Sequence, residues 1–176
     1  VVRPAKARVV KTVDIDLRKG ATPLIGQLVG ERYRLERQLG VGGMGAVYLA
    51  THEEIGKQVA VKILRPELVD TQDMFKRFRQ EAKAATKIGH ANIVDISDFG
   101  VMPGGAPYFV MEYLEGRDLG TVLKAEGPLP WQRVFRIGQQ ICSALHAAHQ
   151  SGIIHRDVKP ENFFVVDRGD DADFVK

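Results

Sequence analysis

The sequence has almost no cysteine and no long apolar run. Cys142 is the single cysteine among 176 residues, so an internal disulfide cannot form, and a disulfide scaffold or cysteine-rich zinc module is excluded. No apolar stretch approaches the roughly 18 residues that a membrane helix needs, and residues 1–20 lack the apolar core of a secretory signal. We therefore expect Cys142 to fill space in a core and the chain to be soluble and cytoplasmic, while a parent protein is free to carry a membrane anchor elsewhere.

Outside the N-terminus, the sequence also lacks a marked excess of positive or negative charge. The formal net charge is +3, and residues 1–20 hold six basic and two acidic residues. The remainder is close to neutral, so the basic character describes a leader rather than a binding face. We expect residues 1–30 to be a flexible basic leader and expect no nucleic-acid partner; a salt-sensitive contact of the leader with nucleic acid is the less favoured alternative. The chain begins with Val1 and ends in a strand-like run, which indicates a piece of a longer protein.

Apolar patterning predicts an antiparallel sheet with one helix over the first half of the chain. Strand-like runs separated by short, glycine-containing turns predict consecutive antiparallel strands. Over residues 71–87 the apolar spacing changes to the helical period. The expected strands are 33–39, 46–50, 58–64, 93–99 and 108–113.

The second half is more helical. Asp118 is placed to cap a short helix, and Pro130 to open a long one that ends before Gly152. We expect the long helix to be mostly buried, with Trp131 as a packing anchor. A polar segment at 155–162 and a strand-like run at 163–166 follow, and the acidic residues after them are expected in a solvated turn.

Glycines are concentrated between the first two predicted strands. Gly40, Gly42 and Gly45 have the spacing G-x-G-x-x-G, with Gly43 between them. Such a loop lets backbone N–H groups approach phosphate oxygens without obstruction by side chains. Dinucleotide-binding folds share the spacing, but there the glycines open a helix, whereas Val47 continues into a strand-like run.

Two charged residues are placed to act together beneath this loop. Lys62 lies on the third predicted strand and points to the same side as Ala60, toward the surface that the glycines cover. Glu81 lies in the middle of the predicted helix and could form an ion pair with Lys62. The alternatives are a solvent-exposed strand lysine and a surface glutamate, which are common for single residues of these types.

The most specific motif is His155-Arg156-Asp157-Val158-Lys159-Pro160-Glu161-Asn162. It matches the kinase catalytic loop H-R-D-x-x-x-x-N position by position. Together with the glycine hairpin, Lys62 and Glu81 in the same order, it makes residues 31–176 resemble bacterial-type, eukaryotic-like Ser/Thr protein kinases.

The resemblance implies an α+β, protein-kinase-like fold with two lobes. Residues 31–114 would form a complete five-stranded antiparallel N-lobe with one helix, together with the hinge at residues 112–114. Residues 115–176 would form the first part of a helical C-lobe, with two helices, the catalytic loop and the start of the following hairpin.

The resemblance also implies a role for each catalytic position, with ATP and Mg²⁺ as cofactors. Asp157 would accept the proton of the substrate hydroxyl, and Lys159 would neutralise the transferring phosphoryl group. Asn162 would be a metal ligand, while Lys62 and Glu81 would position the phosphates. The triplet 159–161 favours Ser/Thr in a protein substrate over Tyr or a small molecule.

The nucleotide site can be placed by the same resemblance. Met111 would be the gatekeeper, the main chain of Glu112 and Leu114 would face adenine, and Asp118 would reach the ribose. The other expected nucleotide contacts are Leu39, Gly40, Gly42, Gly43, Gly45, Val47, Ala60, Lys62, Glu161 and Phe164. For the apolar members, plain core packing is an equally open reading.

The chain departs from the family pattern after the catalytic loop. No Asp-Phe-Gly follows Asn162 within the 176 residues, so the resemblance places the second metal-holding aspartate beyond the end of this chain. We expect the parent protein to be an active kinase, and the 176 residues alone to be a weak catalyst and marginally stable. A nucleotide-binding pseudokinase or scaffold is the alternative, and a homodimer of the parent is left open.

Overall fold

The structure is a computed structural model that describes residues 24–65, 72–169 and 171–176, without the side chains of Gln72 and Met74. Most of the expected leader, the expected helix start at residue 71 and Asp170 lie outside these residues. The strands are β1 (Leu28–Val29), β2 (Tyr33–Val41), β3 (Gly45–His52), β4 (Gln58–Leu64), β5 (Ile96–Val101), β6 (Pro107–Glu112), β7 (Gly116–Asp118), β8 (Phe164–Val166) and β9 (Phe174–Val175). The helices are α1 (Gln72–Ile88), α2 (Leu119–Glu126) and α3 (Trp131–Gln150), and a 3-10 turn covers Pro160–Asn162.

Six strands form an antiparallel sheet in the first lobe, in the order β1-β2-β3-β4-β6-β5. The predicted α+β class is confirmed, and β1 is an addition to the five predicted strands. Residues 24–30 therefore belong with the sheet, although the sequence placed them in the leader. The reason is local: Val29 pairs with Tyr33 across a tight turn and is 1% exposed, and Leu24 packs on the same core. A two-residue strand is too short to show a periodic pattern.

The two faces of this sheet have different functions in packing. Val61 lies on the face that forms one core cluster with Tyr108 and Val110. Strand residues alternate between faces, so Lys62 lies on the opposite face. On that face α1 packs through Phe78 against Phe109, the direct partner of Lys62 on β6. Helix packing thus brings α1 over the face that carries Lys62.

The second lobe is built on a small antiparallel sheet in the order β7-β8-β9. Val165 and Val175 pack on Val122 of α2 and Ile137 of α3. The predicted cap of α2 is present, since the Asp118 carboxylate accepts a hydrogen bond from the backbone N–H of Thr121 at 2.8 Å.

Three expectations about α3 are wrong. Ile137 and Ala148 are its buried residues, Trp131 is 74% exposed, and Cys142 is exposed. The cause is that one side of α3 packs on β9, and within the described residues the side that carries Trp131 and Phe135 is covered by no other element. The helical period was read correctly, but periodicity does not reveal what covers an apolar face.

The lobes are joined by more than the linker at residues 113–115, which contains most of the predicted hinge. The Lys176 ammonium contacts the Glu112 carboxylate and donates to the Ile93 carbonyl at 3.1 Å. Asn92, in the loop between α1 and β5, donates to Gln140 Oε1 of α3 at 3.0 Å and to the Val175 carbonyl at 2.7 Å. These bonds hold the end of α1 against the second lobe. Among the described residues, no helix combines the length and apolar character needed to span a membrane.

Candidate active site

The glycine loop is the turn of the β2–β3 hairpin. The Gly42 N–H donates to the Gly45 carbonyl at 2.8 Å, which closes the turn. A Cβ on Gly40 or Gly43 would have no neighbour within 4 Å, and one on Gly42 would only touch the Gly45 carbonyl oxygen at 3.8 Å. None of these three has a positive φ. The fold itself does not require glycine there, so a ligand that approaches the backbone closely is a physical reason for it.

Gly45 has a different explanation. A Cβ at this position would lie 2.2 Å from the Ile63 carbonyl oxygen on β4. Gly45 is therefore required for the close approach of β3 to β4, whatever binds above. One motif thus contains glycines of two kinds, and the sequence spacing could not separate them.

Lys62 and Glu81 form the expected ion pair. The Nζ–Oε1 distance is 2.6 Å, and the two side chains are 19% and 41% exposed. The ammonium also lies 5.5 Å from the centre of the Phe109 ring. The pair forms because β4 presents Lys62 to the side on which α1 packs. Glu81 lies next to Ala82, a buried residue of α1, and so lies close to the sheet. The ammonium is fixed at the sheet face below the glycine hairpin.

The strands also bring the expected adenine contacts to this face. Val47 is the direct partner of Lys62 on β3, and Ala60 pairs with Met111 on β6. Directly opposed antiparallel residues share a face, so these side chains lie on the Lys62 side. Leu39 lies on β2 at a shift in the strand register, next to Gly40.

The hinge presents unpaired main-chain groups. Among the described residues, the N–H and C=O of Leu114 make no hydrogen bond. Buried backbone groups are nearly always paired, so a half-buried Leu114 is available to a ligand with complementary groups. The Glu112 side chain is engaged elsewhere, with Lys176 and with the N–H of Asp95 at 2.8 Å.

On the second lobe, Asp118 and Phe164 are direct partners across β7 and β8, so both point away from the core that holds Val165. Both carboxylate oxygens of Asp118 accept from Thr121. Capping is the role that these contacts show, and the ribose contact stays a prediction. Glu161 lies beside the first turn of α2, where a Cβ on Gly120 would be 3.1 Å from its Oε1.

The catalytic-loop residues form one hydrogen-bonded group. Asn162 Nδ2 donates to the Asp157 carbonyl at 2.7 Å and to Asp157 Oδ2 at 2.9 Å. Lys159 Nζ lies 2.9 Å from the same Oδ2. The Asp157 N–H donates to His155 Nδ1 at 3.3 Å, and the His155 ring stacks near Phe163. Arg156 has a φ of 65°, a strained value for a side-chain-bearing residue.

The charges around Asp157 favour its ionised form. Hydrogen bonds from Lys159, and then from Asn162, lower the pKa of Asp157 below the usual range of a carboxyl group. The same contact with Asp157 raises the pKa of Lys159. The Asp157 side chain is 62% exposed. An ionised carboxylate can accept a hydrogen bond from a hydroxyl group and so orient it. Because its pKa is lowered, Asp157 is a weaker base in the free protein than an ordinary carboxylate.

An Asp-Phe-Gly triplet lies upstream of the predicted catalytic loop, at residues 98–100. Because this triplet lies on β5, Asp98 is not the metal-holding aspartate that the family pattern places after the catalytic loop. Asp98 pairs with Val110, whose side chain belongs to the core on the face opposite Lys62. Its carboxylate accepts from the Tyr33 hydroxyl at 3.0 Å. The triplet is therefore structural.

Asn162 is the best metal-ligand candidate. Its amide nitrogen donates to Asp157, and within the described part of the chain Oδ1 has no hydrogen-bond partner. That part contains no group of three or more His, Cys, Asp or Glu residues placed to hold a metal. Mg²⁺ commonly takes one or two protein oxygens and completes its shell with phosphates and water. Asn162 fits such a site but fills a small share of it.

Sequence reasoning missed a buried ion pair. Asp173, expected in a solvated turn, is 6% exposed and accepts from Arg133 Nε at 2.7 Å. Arg133 also pairs with Glu126, which connects α2, α3 and the approach to β9. Gln140 supports the same region, since it donates to the Asp173 carbonyl and accepts from the Val175 N–H. A single polar residue in the sequence does not indicate a partner that lies so far away along the chain.

Comparison with known proteins gives a consistent result. A family model described as protein kinase domain matches residues 33–176. Serine/threonine-protein kinase Pkn1 of Myxococcus xanthus is 47% identical over 154 residues, which is 88% of this chain and 22% of that protein. Serine/threonine-protein kinase pkn3 of the same organism is 43% identical over 152 residues, or 86% of this chain and 28% of that protein.

A solved structure supports the fold directly. The PknI kinase domain of Mycobacterium tuberculosis matches with a TM-score of 0.69 at 31% identity, over 84% of this chain and 60% of that domain. The two Myxococcus relatives are much longer than this chain, which spans about a quarter of their length.

Proposed function

The chain belongs to the protein kinase domain family, and we propose that the protein containing it transfers the γ-phosphoryl group of ATP to Ser or Thr hydroxyls of protein substrates. The observation that carries the proposal is the ion pair between Lys62 and Glu81. It fixes a cation on the sheet face that also carries Val47, Ala60 and Met111, below a glycine turn that has room for a ligand.

ATP would bind between the hinge and the glycine hairpin. The free N–H and C=O of Leu114 have the donor and acceptor that an adenine edge requires. Backbone N–H groups near Gly42 and the Lys62 ammonium would hold the phosphates, because both offer positive charge without a bulky side chain between them and the oxygens. Phe164, which points away from the core of the second lobe, would form part of the floor of the site.

The transfer step would take place at Asp157. The substrate hydroxyl oxygen attacks the γ-phosphorus, a new P–O bond forms, and the bond to the bridging oxygen of ADP breaks, so that ADP leaves with the electron pair. Asp157 orients the hydroxyl and receives its proton late in the step. Lys159, 2.9 Å from Asp157 in the free protein, is placed to neutralise charge on the transferring group.

When bound, Mg²⁺ supplies charge neutralisation at the β- and γ-phosphates. Asn162 Oδ1 is the group of this chain proposed to hold it. We place the reaction in the cytoplasm, where ATP is available, and we propose that the 176 residues alone transfer phosphate weakly.

The test is phosphate transfer by the full-length natural protein to a generic acceptor protein in the presence of ATP and Mg²⁺, with the modified residues identified by mass spectrometry. The proposal expects phosphoserine and phosphothreonine, and a loss of activity of at least a hundredfold in Asp157→Asn, because general acid–base groups contribute about 10²–10⁴-fold.

Two outcomes would contradict the proposal. Nucleotide binding without any transfer would indicate a pseudokinase or scaffold instead. Transfer that Asp157→Asn leaves intact would show that another group orients the acceptor.

A further inference from the structure

A side-chain hydrogen bond ties the linker between the lobes to the first strand of the glycine hairpin. Arg37 Nη2 on β2 donates to the Tyr113 hydroxyl at 3.2 Å, across 76 positions of sequence. Tyr113 directly precedes Leu114, whose N–H and C=O make no hydrogen bond among the described residues. The bond thus lies one residue away from the main-chain groups that are proposed to meet adenine.

A break in the strand register turns Arg37 toward the nucleotide face of the sheet. In a regular strand Arg37 would share a face with Leu35, which is 1% exposed in the core on the opposite face. The pairing of β2 with β3 shifts between these two residues, so that Arg37 lies opposite Leu49. Leu49 pairs in turn with Ala60, and Ala60 pairs with Met111. Such bulges re-aim side chains and are common next to active sites, and this one places Arg37 in the same row as two expected adenine contacts.

Burial and charge indicate that this contact contributes little to the stability of the fold. Arg37 is exposed, and its partner is an uncharged hydroxyl group. Within residues 24–65, 72–169 and 171–176 no carboxylate forms an ion pair with Arg37, whereas Arg34 on the same strand pairs with Glu53. Exposed polar contacts are weakly stabilising, so a variant that lacks this bond should fold normally.

We propose that Arg37 is a positioning residue for the nucleotide: through the Tyr113 hydroxyl it holds the linker in the conformation in which Leu114 meets the adenine edge. The inference rests on the proposed function, because it takes an adenine nucleotide as the ligand. A linker that is already held loses less conformational freedom when the ligand binds. Without the bond, the linker is ordered only on binding, and the affinity falls. The proposed phosphate contact at Lys62 belongs to a different row of strand pairs, so kcat should not change.

The test is isothermal titration calorimetry of the full-length natural protein with ADP and Mg²⁺, together with kcat for phosphate transfer and the urea unfolding midpoint. Arg37→Met and Tyr113→Phe each remove the bond and should weaken ADP binding about three- to tenfold, the range expected for one hydrogen bond. In both variants kcat should stay within twofold and the unfolding midpoint should not change. The double variant should bind no more weakly than the weaker single variant, because both changes remove the same interaction. Arg37→Lys, which keeps a donor, should lose less affinity than Arg37→Met.

Arg34→Met is the matched control. It removes the same charge from the same strand, but the partner of Arg34 is Glu53, so the affinity for ADP should change less than twofold. The inference is overturned if neither Arg37→Met nor Tyr113→Phe weakens binding, or if their losses multiply in the double variant. A loss in Arg37→Met alone would also overturn it, since the charge would then act on the phosphates directly. A lower unfolding midpoint that accompanies the loss would assign the contact to folding instead.

Failure of the proposed function gives a different result. In that case the unaltered protein binds ADP with the same dependence on Arg37 and Tyr113 but transfers no phosphate. If the unaltered protein binds no adenine nucleotide, both the proposed function and the positioning role are overturned.

Discussion

Replacement of Lys62 by methionine should separate the proposed catalytic role of this residue from its structural role. Methionine keeps an unbranched apolar chain over Phe109 but removes the charge. The ion pair with Glu81 is partly solvated, because Glu81 is 41% exposed. Exposed pairs contribute about 0–1 kcal/mol to stability, so the free energy of unfolding should hardly change.

The expected loss of activity is much larger. Lys62 is 19% exposed, so its interaction with a phosphate oxygen takes place in a medium between water and protein interior. Two unit charges about 4 Å apart interact by about 4 kcal/mol at an effective dielectric constant of about 20. If that interaction develops in the transition state, its loss reduces kcat/KM by about a thousandfold.

The assay compares kcat/KM for ATP and the urea unfolding midpoint in Lys62→Met and in Lys57→Met, a change of the same kind at an exposed lysine in the turn before β4. The reasoning fails if Lys62→Met loses less than tenfold in kcat/KM, if the control loses as much, or if the loss follows a lower unfolding midpoint.

Three further predictions concern other parts of the chain. Gly43→Ala should leave the melting temperature unchanged and raise the KM for ATP, whereas Gly45→Ala should cost about 1–3 kcal/mol of stability through overpacking; equal melting temperatures would contradict this division. Arg133→Met should destabilise by about 3 kcal/mol in urea unfolding, because it leaves the buried Asp173 carboxylate without its partner, and adding Asp173→Asn should recover part of the loss. Hydrogen bonds from Arg133, and then from Arg117, lower the pKa of Glu126. The contribution of Glu126 to stability is therefore present above its unfolded pKa of about 4.3 and is lost as pH falls through the lower folded value. The difference in melting temperature between the protein and Glu126→Gln should therefore shrink in that acid range, and a difference that grows there would refute the assignment.

The parts of the fold that could be predicted are those with local signals. Residues 58–64 were expected as a strand and form β4 with the same bounds, because its β-branched residues recur at every second position and share one buried face. Asp118 was expected as a cap, and it caps α2, because a carboxylate before a helix satisfies free N–H groups whatever the tertiary contacts.

The parts that could not be predicted depend on contacts distant in sequence. The burial of Asp173 depends on Arg133, 40 residues away, and no local pattern carries that information. Trp131 was assigned to a core on hydrophobicity alone, yet it is exposed in this structure. The ion pair of Lys62 was predicted from its combination with the glycine hairpin and with Glu81 on the helix, since neither residue alone differs from an ordinary surface charge.

The most direct test of the central claim is the site of covalent labelling by an adenosine analogue that carries a sulfonyl fluoride where the phosphates of ATP would lie. If the hinge, the glycine turn and Lys62 surround one nucleotide, mass spectrometry should find Lys62 as the main modified lysine, and ATP should prevent the reaction. Labelling spread over exposed lysines, or labelling of Lys62 that ATP does not reduce, would contradict the account.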